Sequence, residues 1–396
     1  MKKTWVSIPD VLFFQEGPGV RNTQYTIDGV KLLNVANLVD GKIDLSTSDR
    51  YISEKEAYGK YKHFLCDAGD FVIASSGIKV EYVDKKMGFV DESMLPLCMN
   101  TSTIRFKVLD EKQLRIRYFM YYLKSEHFKQ QLFKQITGSA QLNYGPSHLK
   151  KMIMPLIDLN DQDEIVSYMD KVQNIIEKRQ QELYRLDDLI KARFVEMFGD
   201  PVSNSYGLPE ATLPELGEFG RGISKHRPRN DPKLLGGDYP LIQTGDVANA
   251  GLYITSYNST YSEFGLKQSK MWEKGTLCIT IAANIAKTAI LTFDACFPDS
   301  VVGFTSNEKT NNIFIHYWFL FFQAILESQA PESAQKNINL KILSELRAIV
   351  PEKEKQDEFV DFIRQVDKSK VVYMYILKTR KYLMYNGEYR EKVNCI

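Results

Sequence analysis

QDEIVSY occupies Gln162–Tyr168, and QDEFVDF occupies Gln356–Phe362, 194 positions later in a chain of 396 residues. Apolar, aromatic and acidic types keep their places, so one phrase is written twice about half a chain apart. Whether this is chance depends on whether other landmarks repeat in the same order. SAQLN at Ser139–Asn143 and SAQKN at Ser333–Asn337 are also 194 positions apart. Upstream, AGDFVIAS from Ala68 aligns with KGTLCITI from Lys274, each a glycine followed by an apolar run that reads as a buried strand. GVKLLNVANL from Gly29 aligns with DYPLIQTGDV from Asp238, and IPDV at Ile8 with LPEL at Leu213. The displacement drifts between landmarks, as loop insertions and deletions require. The chain reads as an internal duplication.

From Asp161, glycine and proline are absent until FGDP at Phe198. Ile165, Met169, Val172, Ile176, Leu183, Leu186 and Ile190 recur at steps of four and three, interrupted at Arg179. This predicts one long helix with a coiled-coil seam, spanning roughly 55 Å at about 1.5 Å per residue. Phe359, Ile363, Val366, Tyr373, Leu377 and Met384 repeat the pattern in the second half. A narrow apolar stripe cannot bury itself alone, so the two seams are expected to pack antiparallel. The flanking segments mix short apolar strands, turn signals such as EGPG at Glu16 and GGDYP at Gly236, and amphipathic helices such as RYFMYYLKSEHF from Arg117. The expected class is α+β, with two similar globular domains joined by two long antiparallel coiled-coil helices about a pseudo-twofold axis. Their expected limits are 1–158 and 200–352 for the domains, 159–199 for the first helix, and 353–396 for the second helix with its tail.

Charged residues make up 26% of the chain and their signs nearly cancel, at a net +1, which describes a soluble globular protein of more than one domain. MKKTWVSIPD lacks the apolar core of a signal peptide, and IFIHYWFLFF at Ile313 is too short to span a bilayer. A cytoplasmic protein without membrane contact is expected. Five cysteines form no CxxC pair, and their odd count argues against a disulfide framework. The sequence contains no phosphate-binding loop, no GxGxxG after a strand, no HExxH and no Asn-Pro-Pro-aromatic motif. Five scattered histidines lack ligand spacing, so neither a metal site nor a catalytic residue is expected.

The loops offer hydrogen-bonding side chains beside basic ones. RGISKHRPRNDPK carries Arg221, Lys225, Arg227, Arg229 and Lys233 against Asp231 alone. Proline and glycine keep it out of regular structure, leaving its cations free for phosphates or guanine edges, or simply solvated. Its counterpart GPGVRNTQYT supplies Arg21, Asn22, Thr23, Gln24 and Tyr25. Within the SAQ phrases, Gln141 with Asn143 and Gln335 with Asn337 could pair with adenine or bind phosphate; alternatively Ser139 and Ser333 are helix caps. Tyr144, Asn284 and Lys287 complete the candidate DNA-binding residues.

KARFVEMFGDP at Lys191–Pro201 ends a long mid-chain helix, and this phrase together with the SAQ-N phrases resembles the specificity subunits of type I restriction-modification systems. The resemblance covers essentially the whole chain, in the order recognition domain, helix, recognition domain, helix. It implies a non-catalytic chain that reads a bipartite double-stranded DNA target, with half-sites about one helical turn apart. It further implies no cofactor in this chain; S-adenosylmethionine, ATP and Mg belong to two methylase subunits and to restriction/translocase subunits. Those partners are expected along the helices, with Phe194, Phe198, Tyr382 and Tyr385 as anchors. The C-terminal YNGEYREKVNCI departs from the family by lacking an FGDP phrase. Two rival readings are the recognition part of a single-chain restriction-modification enzyme and a non-catalytic coiled-coil scaffold. The start at Met1 and the missing methylase motifs weigh against the first.

Overall fold

The computed structural model describes residues 3–135, 142–282, 284–329 and 338–386, with side chains of the last helix described as far as Lys370. The chain divides into two compact units, Met1–Lys178 with Ile376–Ile396, and Arg179–Tyr375.

In the first unit an antiparallel sheet runs Leu12–Glu16, Thr103–Val108, Phe71–Ala74, Met87–Phe89. All four residues of Phe71–Ala74 are buried, which is why AGDFVIAS reads as a continuous apolar run rather than an alternation. A smaller sheet places Val30–Leu33 between Leu97–Met99, parallel, and Tyr51–Ile52, antiparallel. Thr4–Ser7 pairs with Ile153–Leu156 to clasp the ends of the domain together.

The second unit repeats this plan. Gly217–Arg221, Val301–Ser306, Leu277–Thr280 and Thr288–Leu291 form the main sheet, with Tyr253–Ile254 added at its edge. Leu235–Leu241 lies between Ser259–Tyr261 and Ala295–Cys296, and Glu210–Thr212 clasps Arg347–Ile349. IPDV and LPEL are one short helix in each unit, started by proline and burying Ile8 and Val11 or Leu213 and Leu216. The α+β class and the duplication are therefore both present.

The repeated QDE phrase has a specific role. Gln162 is fully buried at the start of the first long helix, Leu159–Phe198. Its Nε2 donates to the carbonyls of Gln113 and Ile157, each at 2.8 Å, while its Oε1 accepts from the Arg115 backbone N–H at 2.8 Å. Gln356, buried in the second long helix Lys353–Asn386, donates to Lys309 O at 3.0 Å and Pro351 O at 2.9 Å and accepts from Thr310 Oγ1 at 2.9 Å. Each glutamine bolts its helix to the domain that precedes it in the chain.

Ile165 belongs to the core of the first unit, whereas Ile190, Phe194 and Phe198 belong to that of the second. In the second unit the seams of the two long helices meet through Leu186 and Ile190 with Phe359, Ile363 and Val366. Arg193 pairs with Glu358 at 3.0 Å and Asp187 with Lys370 at 2.6 Å, so the helices run antiparallel there.

Candidate nucleic-acid interface

In the second unit a glycine seats the basic loop. Gly222 N–H donates to Val301 O at 2.9 Å. A Cβ at Gly222 would lie 2.2 Å from Phe297 O and 2.4 Å from Pro298 O, an approach open to no other residue. Beyond it the loop is folded. Gln268 Oε1 accepts from the Lys225 and His226 backbone N–H groups at 2.6 and 2.9 Å, and Ser269 Oγ donates to Ile223 O at 2.8 Å. The Asp231 carboxylate accepts from Lys233 N–H at 3.0 Å and faces His226 Nε2 at 2.9 Å; these contacts, the backbone one first, hold it below the usual carboxylate range. Arg227 Nη1 donates to Ser224 O at 2.5 Å and His226 O at 2.9 Å, while its Nη2 lies 3.5 Å from Asp299 Oδ2. Arg229 Nη2 donates to the other oxygen of the same carboxylate.

On the far side of Asp299, Ser300 O accepts from Ile281 N–H at 3.0 Å, which brings alongside the turn carrying exposed Asn284 and half-buried Lys287. Thr280 Oγ1 holds that turn by accepting from Lys287 N–H at 3.0 Å and donating to Asn284 O. Ile338 N–H then donates to Ile281 O at 3.0 Å, so the residue directly after SAQKN docks on the same turn. Arg227 and Arg229, through Asp299, and the turn of Asn284 and Lys287, through Ser300, thus flank one short segment, the rim of this unit.

The first unit repeats the scaffold bond for bond. Gly17 N–H donates to Thr103 O at 2.9 Å, Ser75 N–H to Ser102 O at 2.8 Å, and Tyr144 N–H to Ser75 O at 2.9 Å. A Cβ at Gly17 would lie 2.1 Å from Asn100 O. The rim side chains differ. Arg21 and Asn22 are exposed. Tyr25 OH accepts from Asn100 Nδ2 and Arg50 Nη1, each at 3.4 Å, and the Arg50 guanidinium lies over the Tyr25 ring at 5.3 Å, a cation–π contact.

Several sequence expectations are corrected here. Tyr144 is only 2% exposed and donates its hydroxyl to Ala74 O at 2.9 Å, so it plugs the end of the central strand instead of standing at the surface. Gln24 is tied inward, its Nε2 donating to Glu56 Oε1 at 2.7 Å and to Tyr61 OH at 3.0 Å. Arg227 and Arg229 are pinned to Asp299 rather than free. Phe194 and Phe198 have zero exposure, packed against Phe314 and Phe359, so they are core residues and not accessible anchors.

Gln141, Gln335 and Asn337 lie outside the described residues, as do the side chains of Tyr382 and Tyr385. Asn143 is described through its backbone alone, paired with Ser76. Arg50, Asn100 and Asp299 escaped the sequence reading. Among the described residues no group of three or more His, Cys, Asp or Glu could hold a metal ion, and no helix is long and apolar enough to cross a membrane.

The fold is thus a duplicated α+β scaffold whose two units share their backbone bonding and differ in their loop side chains. The sequence model of the type I restriction modification DNA specificity domain matches residues 31–185 and 210–372. The chain belongs to that family, and it is a non-catalytic specificity subunit of a type I restriction-modification system. It is 20% identical over 352 residues to the type I restriction enzyme MjaX specificity subunit of Methanocaldococcus jannaschii, covering 86% of this chain and 80% of that one. With the MjaVIII specificity subunit of the same organism it shares 26% identity over 186 residues, 46% of this chain and 42% of that one. A solved chain from work on complex assembly and conformational transition of the type I system has the same fold. Its TM-score is 0.54 at 15% identity, over 99% of this chain and 96% of that chain.

Proposed function

We propose that this chain reads a bipartite double-stranded DNA target, one half-site per unit, and directs two methylase subunits and the restriction/translocase subunits to it. The observation that carries this is the matched scaffold with unmatched rims. Glu16 and Gly17 correspond to Arg221 and Gly222, and the loops that follow differ in length and charge: residues 18–25 carry Arg21 as their single basic side chain, whereas 223–234 carry Lys225, Arg227, Arg229 and Lys233. The backbone bonds that seat each loop are kept while the loop's length and charge are rewritten, as expected of two heads facing the same polymer but different base pairs. Of the original candidates, Arg21, Asn22, Tyr25, Lys225, Arg227, Arg229, Asn284 and Lys287 remain, with Asn143 and the amides Gln141, Gln335 and Asn337.

The first long helix, at 40 residues, extends roughly 60 Å and is the proposed spacer. Its exposed apolar side chains Ile175, Tyr184, Leu189 and Val195 replace the buried phenylalanines as proposed partner anchors. At 100° per residue, Tyr184 and Val195 share one face while Ile175 and Leu189 share the opposite one, which suits two methylase subunits. S-adenosylmethionine, ATP and Mg are assigned to the partners, and the complex to the cytoplasm. Hydroxyl-radical footprinting of the assembled complex on DNA that it methylates tests the reading. Two protected segments separated by an unprotected one support it, and a single continuous footprint without sequence preference contradicts it.

A further inference from the structure

The geometry points to Asp299 as a specificity-determining residue of the second head, one that positions Arg227 and Arg229 and weakens their grip on DNA of the wrong sequence. The inference rests on the DNA-reading role proposed for those arginines. Both guanidiniums converge on this one carboxylate, and all three side chains are at the surface, with relative exposures of 55% and 48% for the arginines and 35% for the aspartate. Exposed ion pairs contribute about 0–1 kcal/mol to folding. The cluster is therefore a poor stabilising device, but it sits where it can bias a reading surface.

The first head supplies an internal control. Its scaffold bonds align Thr103 with Val301 and Ser102 with Ser300, a displacement of 198, so Asp299 corresponds to Thr101. The loop between Gly17 and Thr26 is four residues shorter than that between Gly222 and Leu235, and Arg21 is its single basic residue. The acid is present only in the head that carries the two arginines. The seat is also rigid, because Gly222 is pressed against the carbonyls of Phe297 and Pro298, next to Asp299.

A phosphate and the Asp299 carboxylate compete for the same guanidinium N–H groups. Arg227 Nη1 is already committed to two backbone carbonyls, so Asp299 fixes both where the fork of the guanidinium points and what it can release. Non-target DNA, offering phosphate alone, must displace the carboxylate. Target DNA offers base-edge acceptors as well and offsets that cost.

The test uses the assembled complex, a duplex carrying the site it methylates, and a scrambled duplex of equal length. Asp299→Asn is expected to raise affinity for the scrambled duplex severalfold, steepen the salt dependence by about one in log–log slope, and lower the target-to-scrambled ratio. Asp299→Glu, which keeps the charge, should retain most of the ratio. If Arg227→Ala with Arg229→Ala leaves binding to both duplexes unchanged, the DNA-reading role itself is wrong. If that double variant weakens binding but Asp299→Asn leaves slope and ratio as they were, or weakens both duplexes alike, the role of Asp299 is overturned. Unchanged thermal unfolding of Asp299→Asn separates these outcomes from a folding defect.

Discussion

Replacing Gln356 by leucine keeps the volume of the side chain and removes only its amide. Three partners then lose their bonds: the Thr310 hydroxyl, at 3% residue exposure, and the carbonyls of Lys309 and Pro351. A typical neutral hydrogen bond contributes about 1 kcal/mol net, and leaving a buried partner unsatisfied costs about 1–3 kcal/mol. With the Thr310 and Pro351 bonds both buried, Gln356→Leu should destabilise the second unit by about 3–4 kcal/mol. For a unit of this size that lowers its Tm by roughly 6–16 °C. Gln162→Leu should cost less, because only its bond to Ile157 O is buried and water can reach the Arg115 N–H and Gln113 O it abandons. Calorimetry of the full chain, with each variant compared with the parent, reads both effects. A loss under about 1 kcal/mol for Gln356→Leu, or a larger loss for Gln162→Leu, would refute the reasoning.

Phe194→Ala should cost about 3–5 kcal/mol in urea unfolding, since it empties the centre of an aromatic cluster with Phe198, Phe314 and Phe359; a Phe194→Ala chain as stable as the parent would restore that residue to the surface. Burial, aided by nearby Lys370, lowers the His316 imidazole to about 4 from its ordinary 6.5. The unfolded chain binds that proton first, so stability contributed by neutral His316 is complete above about pH 6.5 and is lost as pH falls towards 4, about 3 kcal/mol in all. Asp367, its carboxyl pushed up by burial, works in the opposite sense, so the two are separated by comparing the parent with His316→Gln, whose unfolding free energy should fall less across this range.

The duplication, the long helix and the α+β class were legible because they rest on periodicity and order, which survive divergence. The role of the QDE phrase was not. A glutamine in a polar helical turn looks solvated until the carbonyls of Gln113 and Ile157, or Lys309 and Pro351, are seen around it. Phe194 and Phe198 continue the four-residue step from Ile190, and that continuation was the available signal for burial. Helical spacing alone does not say whether an apolar face meets a partner helix or the core of a domain. Tyr144 misled for a related reason, since its polar tip is satisfied by a backbone carbonyl at the end of a central strand. Asp299 carries no local motif at all. It lies 70 residues beyond Arg229 in sequence, and only the close packing of Gly222 on Phe297 and Pro298 brings it beneath the basic loop.

The claim that each unit reads its own half-site is tested most directly by exchanging residues 200–352 for the corresponding segment of another family member. The exchanged chain is assembled with its methylase, and the methylated bases are mapped by sequencing. Retention of one half of the parental target with replacement of the other is the predicted result. Loss or change of both halves, or an unaltered target, would contradict it.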